Sequence, residues 1–208
     1  MDFSSLFVTD TSFSHLNAGT RTRVPLRVLD FMERERREQE KNPTKAMFVG
    51  YEKIWPVQKE LGAYLGTSPH HIFLRENITS AFNDFLFALP PLGEGEIVAT
   101  GWEYGGITGL ARHWANSCGL AFRTVPLPFR ADWDASGLCR ELVGSLTPRT
   151  RILLISHVAT CNGAIFPIKE IAMAARDRGI ITLIDGAHAV GAIPTRLDEL
   201  DADFYGGN

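Results

Sequence analysis

A chain of 208 residues that is 45% hydrophobic has enough apolar material for one large domain, or for one and part of another. With 21 Lys and Arg against 24 Asp and Glu, a net charge of -3 and a pI near 6.1, it carries no basic stripe, which argues against nucleic acid as the main partner. No run of about 18 apolar residues is present to span a membrane.

The opening MDFSSLFVTDTSFSHL lacks the basic and apolar regions of a secretory signal, which reads as a cytoplasmic protein. An extended stretch around His15 to Gly19 leads into a charged helix over Val24–Lys41, with Pro25 in its first turn. The run ERERREQEK within it is first a solvated helix face and second a partner surface. These residues form an N-terminal extension and helix, 1–48. From 49 to 208 helical and strand patterns alternate, the signature of an α/β fold with a mainly parallel sheet sandwiched by helices.

A helix is expected over Tyr51–Leu65, then a short strand, His71–Leu74, that turns at Glu76 and Asn77 into a helix whose first turn carries Thr79 and Ser80. Hydroxyls and free backbone N–H groups at a helix start make an anion site, and an ordinary N-cap accounts for the same pattern. Further strands are expected at Glu96–Thr100, Ala121–Pro126, Arg151–Ser156 and Ile180–Asp185, with helices at Ile107–Ser117, Ser136–Leu146 and Ile168–Arg178. Cys118, Cys139 and Cys161 are odd in number and widely spaced, with no C-x-x-C pair, so they read as buried, reduced thiols rather than a disulfide framework or zinc site.

Three strand ends carry chemistry. TGWEYGG brings Trp102, Glu103 and Tyr104 to the carboxyl edge of the sheet, as a lid over a planar ligand or as rim packing. SHVATCNG adds His157 and Thr160. TLIDGAHA delivers Asp185 and, three residues later, His188 into one bare turn, which suits a carboxylate presented to a heterocycle and also an Asp that caps its own turn. An anion site, an aromatic, a hydroxyl and an Asp/His pair on separate strand ends are what a phosphorylated aromatic cofactor requires.

These segments resemble the class V aminotransferase and cysteine desulfurase superfamily of pyridoxal-phosphate enzymes. The resemblance runs through HLNAGT at 15–20, RENITSAFN at 75–83, WEYGG at 102–106, SHVATCNGAIFPI at 156–168, IDGAHAVGAIP at 184–194 and DADFYGGN at 201–208. Together LNAG, EYGG, DGAHA and DFYGGN look most like the isopenicillin N epimerase-like branch. The resemblance implies the large domain of a fold-type I enzyme, pyridoxal 5'-phosphate as cofactor, an amino-acid-like small-molecule substrate and a homodimer in the full-length form. It also implies that Asp185 pairs with the pyridinium nitrogen, that His188 and Thr160 lie near the ring oxygen, and that Tyr104 stacks on the ring. Thr79, with N–H groups around Ile78 and Ser80, would hold the phosphate, Asn208 would stand beside that cup, and Asn17 would help shape the substrate pocket. Tyr104 and His188 depart from the histidine and glutamine common in desulfurases, and a tyrosine is the poorer proton shuttle near neutral pH.

The family's Schiff-base lysine follows a histidine just beyond the DFYGGN motif. Lys41, Lys45, Lys53, Lys59 and Lys169 all lack that context and read as solvated surface charges. The expectation is therefore an N-terminal portion, truncated before the lysine and the C-terminal small domain and inactive alone. Two functions remain open: a class V enzyme of epimerase, aminotransferase or C–S lyase type as the full-length protein, and a catalytically silent fold-type I fragment serving as a binding or assembly module. A Rossmann dehydrogenase is disfavoured, because no G-x-G-x-x-G joins a strand to a helix.

Overall fold

The computed structural model describes residues 3–127 and 134–208. The chain divides into two compact units, Met1–Glu60 and Leu61–Asn208. In the first, helix α1 (Leu26–Lys41) starts directly after Pro25, whose ring presets the backbone and whose missing N–H costs nothing at a helix start. None of its residues is buried, and its exposed pairs Glu33–Arg37 and Glu38–Lys41 are worth only about 0.3–0.5 kcal/mol each. Helix α2 (Pro43–Leu65) begins well before the expected Tyr51. The signal is the dipeptide Asn42-Pro43: the Asn42 side chain accepts the Lys45 N–H at 3.0 Å, and Pro43 occupies the first helical position.

The second unit is built on five parallel strands: β1 (Glu96–Thr100), β2 (Ala121–Val125), β3 (Thr150–Ser156), β4 (Ile181–Asp185) and β5 (Phe204–Gly206), in the order β2-β1-β3-β4-β5. Helices α3 (Ile78–Ala88) and α4 (Gly105–Ser117) cover one face; α5 (Ala135–Ser145) and α6 (Ile168–Arg176) cover the other. Strand alternation sorts the core between them. Ile97, Ala99, Ile152, Leu154 and Leu183 pack with Phe82, Leu86 and Trp114, whereas Val98, Leu153, Ile155 and Ile184 pack with Leu138, Leu142 and Ile171. Both faces are dry, so β1, β3 and β4 read as continuous hydrophobic runs, as parallel strands covered on both sides must.

The expected strand His71–Leu74 does not form. A 3-10 turn, Pro69–His71, capped by the Ser68 side chain, takes its place, and Ile72 continues in extended backbone outside the five-stranded sheet. Pro69 has no N–H to give a ladder, and the Ser-Pro pair starts a turn instead. Conversely β5 arises from a run of three residues, FYG, too short to signal by itself. It is secured by Phe204, which meets Phe82 edge-on at 5.1 Å and Phe85 at 4.5 Å. The thiols also differ from expectation: Cys118, at the end of α4, and Cys161, in the β3–α6 loop, are exposed, and Cys139 is half-buried.

At the amino edge of the sheet Glu96 accepts two bonds from Arg123, Nε and Nη2 at 2.8 Å each, and further bonds from the Thr147 and Thr150 hydroxyls at 2.9 and 3.0 Å. Arg123 is the main reason its carboxyl titrates at about 2 rather than 4.5, overcoming the upward push of burial. The contribution of this depressed acid is complete above about 4.5 and is lost as pH falls from there through about 2. Glu96→Gln should lower stability by about 1.5–3 kcal/mol at neutral pH and flatten the acid limb of the stability curve. Denaturation curves that keep the same acid slope in both proteins would show that Glu96 is not its source.

Candidate functional site

The chain leaves β1 in one direction toward β2 and returns to the other side of β1 as β3, so the crossovers change face there. In open α/β sheets such a switch point leaves a crevice outside the carboxyl ends of the two strands. Thr100, Ser156, Asp185 and Gly206 close β1, β3, β4 and β5 at this edge. Register pairs Ser156 with Asp185 and Asp185 with Gly206, which brings three segments that are distant in sequence side by side.

Asp185 is buried, with 6% of its surface exposed. Its carboxylate accepts the Ala187 N–H at 3.0 Å, and no Lys or Arg among the described residues forms an ion pair with it. Burial raises its pKa, while the Ala187 N–H and the half-buried His188 pull it down. The Ala187 bond is the turn cap foreseen for this residue. It occupies one carboxylate oxygen, so capping and ligand binding are compatible at Asp185.

The start of α3 comes to the same edge through β5. The Ile78 side chain packs where a Cβ on Gly206 would lie 2.7 Å from it, so only glycine permits this approach. Asn208 Oδ1 accepts the Ile78 N–H at 3.3 Å, and the true N-cap, Asn77, accepts the Ser80 N–H at 2.9 Å. The N–H and hydroxyl of exposed Thr79 have no acceptor among the described residues. Two of the three N–H groups expected to serve an anion are thus engaged within the chain, and Thr79 offers what remains.

The WEYGG segment splits three ways. Trp102 is rim packing, 8% exposed with its ring 6.0 Å from Phe166. Glu103 turns its carboxyl inward. Tyr104, 54% exposed, precedes α4 and faces solvent. Thr160 lies exposed in the β3–α6 loop, while Asn17 belongs to the Met1–Glu60 unit, where its backbone and side-chain oxygens close a turn with Thr20.

The sequence places Glu103 at this edge without a role and gives Tyr205 no part in the site. Glu103 accepts the Thr100 hydroxyl at 2.6 Å and the Ser156 hydroxyl at 2.5 Å, and burial lifts its pKa to about 7. Tyr205 lies beneath the Asp185 turn with its hydroxyl 2.8 Å from His157 Nδ1. Burial pushes the phenol up and the imidazole down, so two neutral groups share this hydrogen bond, its direction set by the imidazole tautomer. His157 is therefore a satisfied core residue. Its pairing with Tyr205 had no sequence signal, because 48 residues separate them.

Among the described residues there is no group of three or more His, Cys, Asp and Glu suited to a metal, and no helix is long and apolar enough to cross a membrane. The parallel sheet with helices on both faces is the large-domain architecture of fold-type I pyridoxal-phosphate enzymes. A C-DES mutant with glycine covalently linked to its PLP cofactor matches it with a TM-score of 0.89 at 22% identity, over 100% of this chain and 55% of that one. A cysteine desulfurase from Escherichia coli matches with a TM-score of 0.76 at 19% identity, over 99% and 53%. At these identities the likeness shows the fold.

The chain belongs to the aminotransferase class-V family, whose model matches residues 15–206. It is 34% identical over 155 residues to isopenicillin N epimerase of Streptomyces clavuligerus and 31% identical over 157 residues to that of Amycolatopsis lactamdurans, in each case 74% of this chain. It spans 39% of the length of both relatives. A cysteine desulfurase of Pectobacterium carotovorum is 31% identical over 91 residues, 44% of this chain and 21% of that protein. Class V aminotransferases use pyridoxal phosphate.

The glycine of the DGAHA turn has a structural origin: a Cβ on Gly186 would lie 2.2 Å from Tyr205 Cε1 and 2.4 Å from its hydroxyl. Gly186→Ala should destabilise the fold by about 1–3 kcal/mol through this overpacking. The loss should shrink in a Tyr205→Leu background, because the two sites are coupled by contact. Equal losses in both backgrounds, read by denaturant titration, would rule out the Tyr205 ring as the cause.

Proposed function

We propose that this chain is the cofactor-binding portion of a pyridoxal-phosphate enzyme acting at the Cα or Cβ of an amino acid or amino-acid-derived substrate, with epimerisation the favoured reaction over transamination and C–S cleavage. The single observation that carries this reading is Asp185, a buried acid that forms no ion pair with a Lys or Arg among the described residues, at the end of β4, one strand from the start of α3. A ring with a protonated nitrogen at one end and a phosphate at the other suits that pair of ends. Epimerisation is preferred because the isopenicillin N epimerases are 34% and 31% identical over 74% of this chain, against 30% and 26% for two probable cysteine desulfurases matching 67% and 73% of it.

When bound, pyridoxal phosphate supplies an electron-withdrawing ring that stabilises negative charge on the substrate carbon. The chain's residues hold and orient it. Asp185 accepts the ring N–H and keeps that proton in place, because a carboxylate shielded from water favours a nearby cation. Tyr104 covers one ring face, and His188 and Thr160 serve the ring oxygen. Thr79 binds the phosphate through its hydroxyl and N–H, with Ile78 and Ser80 held in position by Asn208 and Asn77. Asn17 contributes to substrate binding, and the working enzyme is a cytoplasmic homodimer.

Asp185→Asn should lower turnover of the full-length enzyme at least a hundredfold, roughly 2.7 kcal/mol in the barrier, with a far smaller effect on melting temperature. A large thermal loss with near-normal specific activity would reduce Asp185 to a turn cap. Thr79→Val, nearly isosteric, should weaken pyridoxal phosphate binding by about 1.5–3 kcal/mol. Unchanged affinity in an absorbance titration of the folded variant would remove Thr79 from the phosphate site.

A further inference from the structure

Beside Asp185 the carboxyl edge holds a second acid. Glu103 follows β1 by three residues and is clamped from both sides, by Thr100 at 2.6 Å and Ser156 at 2.5 Å. Both hydroxyl residues are almost wholly buried, at 1% and 2% exposure, and Thr100 also accepts the Trp102 N–H at 3.2 Å, which ties the loop to the strand it leaves. Ser156 pairs in register with Asp185, so Glu103 and Asp185 flank one residue at the switch point.

No Lys or Arg among the described residues forms an ion pair with either acid. The titratable groups facing Asp185 are His188 in the turn after β4 and Tyr205 on β5, with His157 bonded in turn to the Tyr205 hydroxyl. Burial raises Glu103 to about 7 and the Asp185 charge adds to the push, against the two hydroxyls. Two neighbouring carboxylates with no cation between them do not both ionise at low cost, so one proton is held there, on Glu103, whose inward-turned carboxyl is the one pushed up to about 7. A cation paired with Asp185 cancels much of the charge that Glu103 senses and loosens that proton.

We propose that Glu103 is a positioning residue for Asp185 that couples occupancy of the site to a proton: clamped by Thr100 and Ser156, it is a neutral acid while Asp185 is unpaired, and it yields its proton to water when a cationic ring nitrogen pairs with Asp185. This rests on the reading of Asp185 given under Proposed function. The O–H bond of Glu103 breaks, the proton leaves to solvent, and the resulting carboxylate retains both hydroxyl donors.

The test has a cofactor-free arm and a binding arm, each comparing the protein with its Glu103→Gln variant. Without cofactor, an acid whose folded pKa is about 7 against 4.5 in the unfolded chain makes stability fall as pH rises between those values and level off above them. The variant should lack that slope, whereas loss of a purely structural hydrogen bond would shift stability equally at every pH. In pyridoxal phosphate titrations the ratio of variant to parent dissociation constants should rise from near one at about pH 6 to about tenfold at about pH 8. Should Glu103→Gln not fold, Ser156→Ala carries the test: losing one donor to the carboxylate should move both transitions to higher pH. A cofactor-free slope unchanged by the substitution overturns the proposal, and so does a ratio independent of pH. Failure of the parent protein to bind pyridoxal phosphate while the cofactor-free slope persists overturns the function and the coupling with it; binding with a flat ratio overturns the coupling alone.

Discussion

The register of β3 against β4 is the constraint on which the carboxyl edge depends. Because side chains alternate between faces, a slip of one residue would turn Ser156 and Asp185 to the wrong sides and send Leu154, Ile155, Leu183 and Ile184 into the wrong cores. Both faces are sealed by helices, so every one of those apolar residues opposes the slip, at about 1.5–3 kcal/mol for each fully buried side chain. The polar residues at the edge inherit their position from that packing. Asp185, with one hydrogen bond of its own, has little to hold it in place except the strand that carries it.

Two glutamates show how position in one sheet determines the chemistry of a side chain. Glu96 and Glu103 flank β1 at its two ends and both accept two threonine or serine hydroxyls. Glu96 also meets a guanidinium, which holds its carboxyl at about 2; burial pushes the Glu103 carboxyl up to about 7, with the Asp185 charge adding to the rise. The first is a fastening for the amino edge. The second leaves the carboxyl edge poor in positive charge, a condition met by a ligand that brings its own cation.

Sequence alone made the sheet's principal elements legible. Continuous apolar runs marked β1, β3 and β4 to within a residue, since strands buried on both faces have no polar side to confuse them. The edge positions of Asp185, Tyr104 and Thr160 followed from those strands. What was not legible had specific causes. The stretch His71–Leu74 looked like a strand because isolated β-propensity cannot report whether a partner exists, and β5 was missed because its pairing, not its composition, makes it a strand. Exposure of Cys118 and Cys161 was equally hidden, since burial of a thiol depends on what packs over it.

The sequence by itself determined the α/β class, the carboxyl-edge location of the acid and aromatic residues, and membership of the aminotransferase class-V family, because strand periodicity and short motifs are properties of neighbouring residues. Only the tertiary structure decided that Asn208 caps the N–H of Ile78, that Tyr205 excludes any side chain at Gly186, and that Glu103 shares its crevice with Asp185. Each of these joins residues from different crossovers of the sheet. Contacts of that range are selected by the packing of both cores at once, and no local pattern in the chain encodes them.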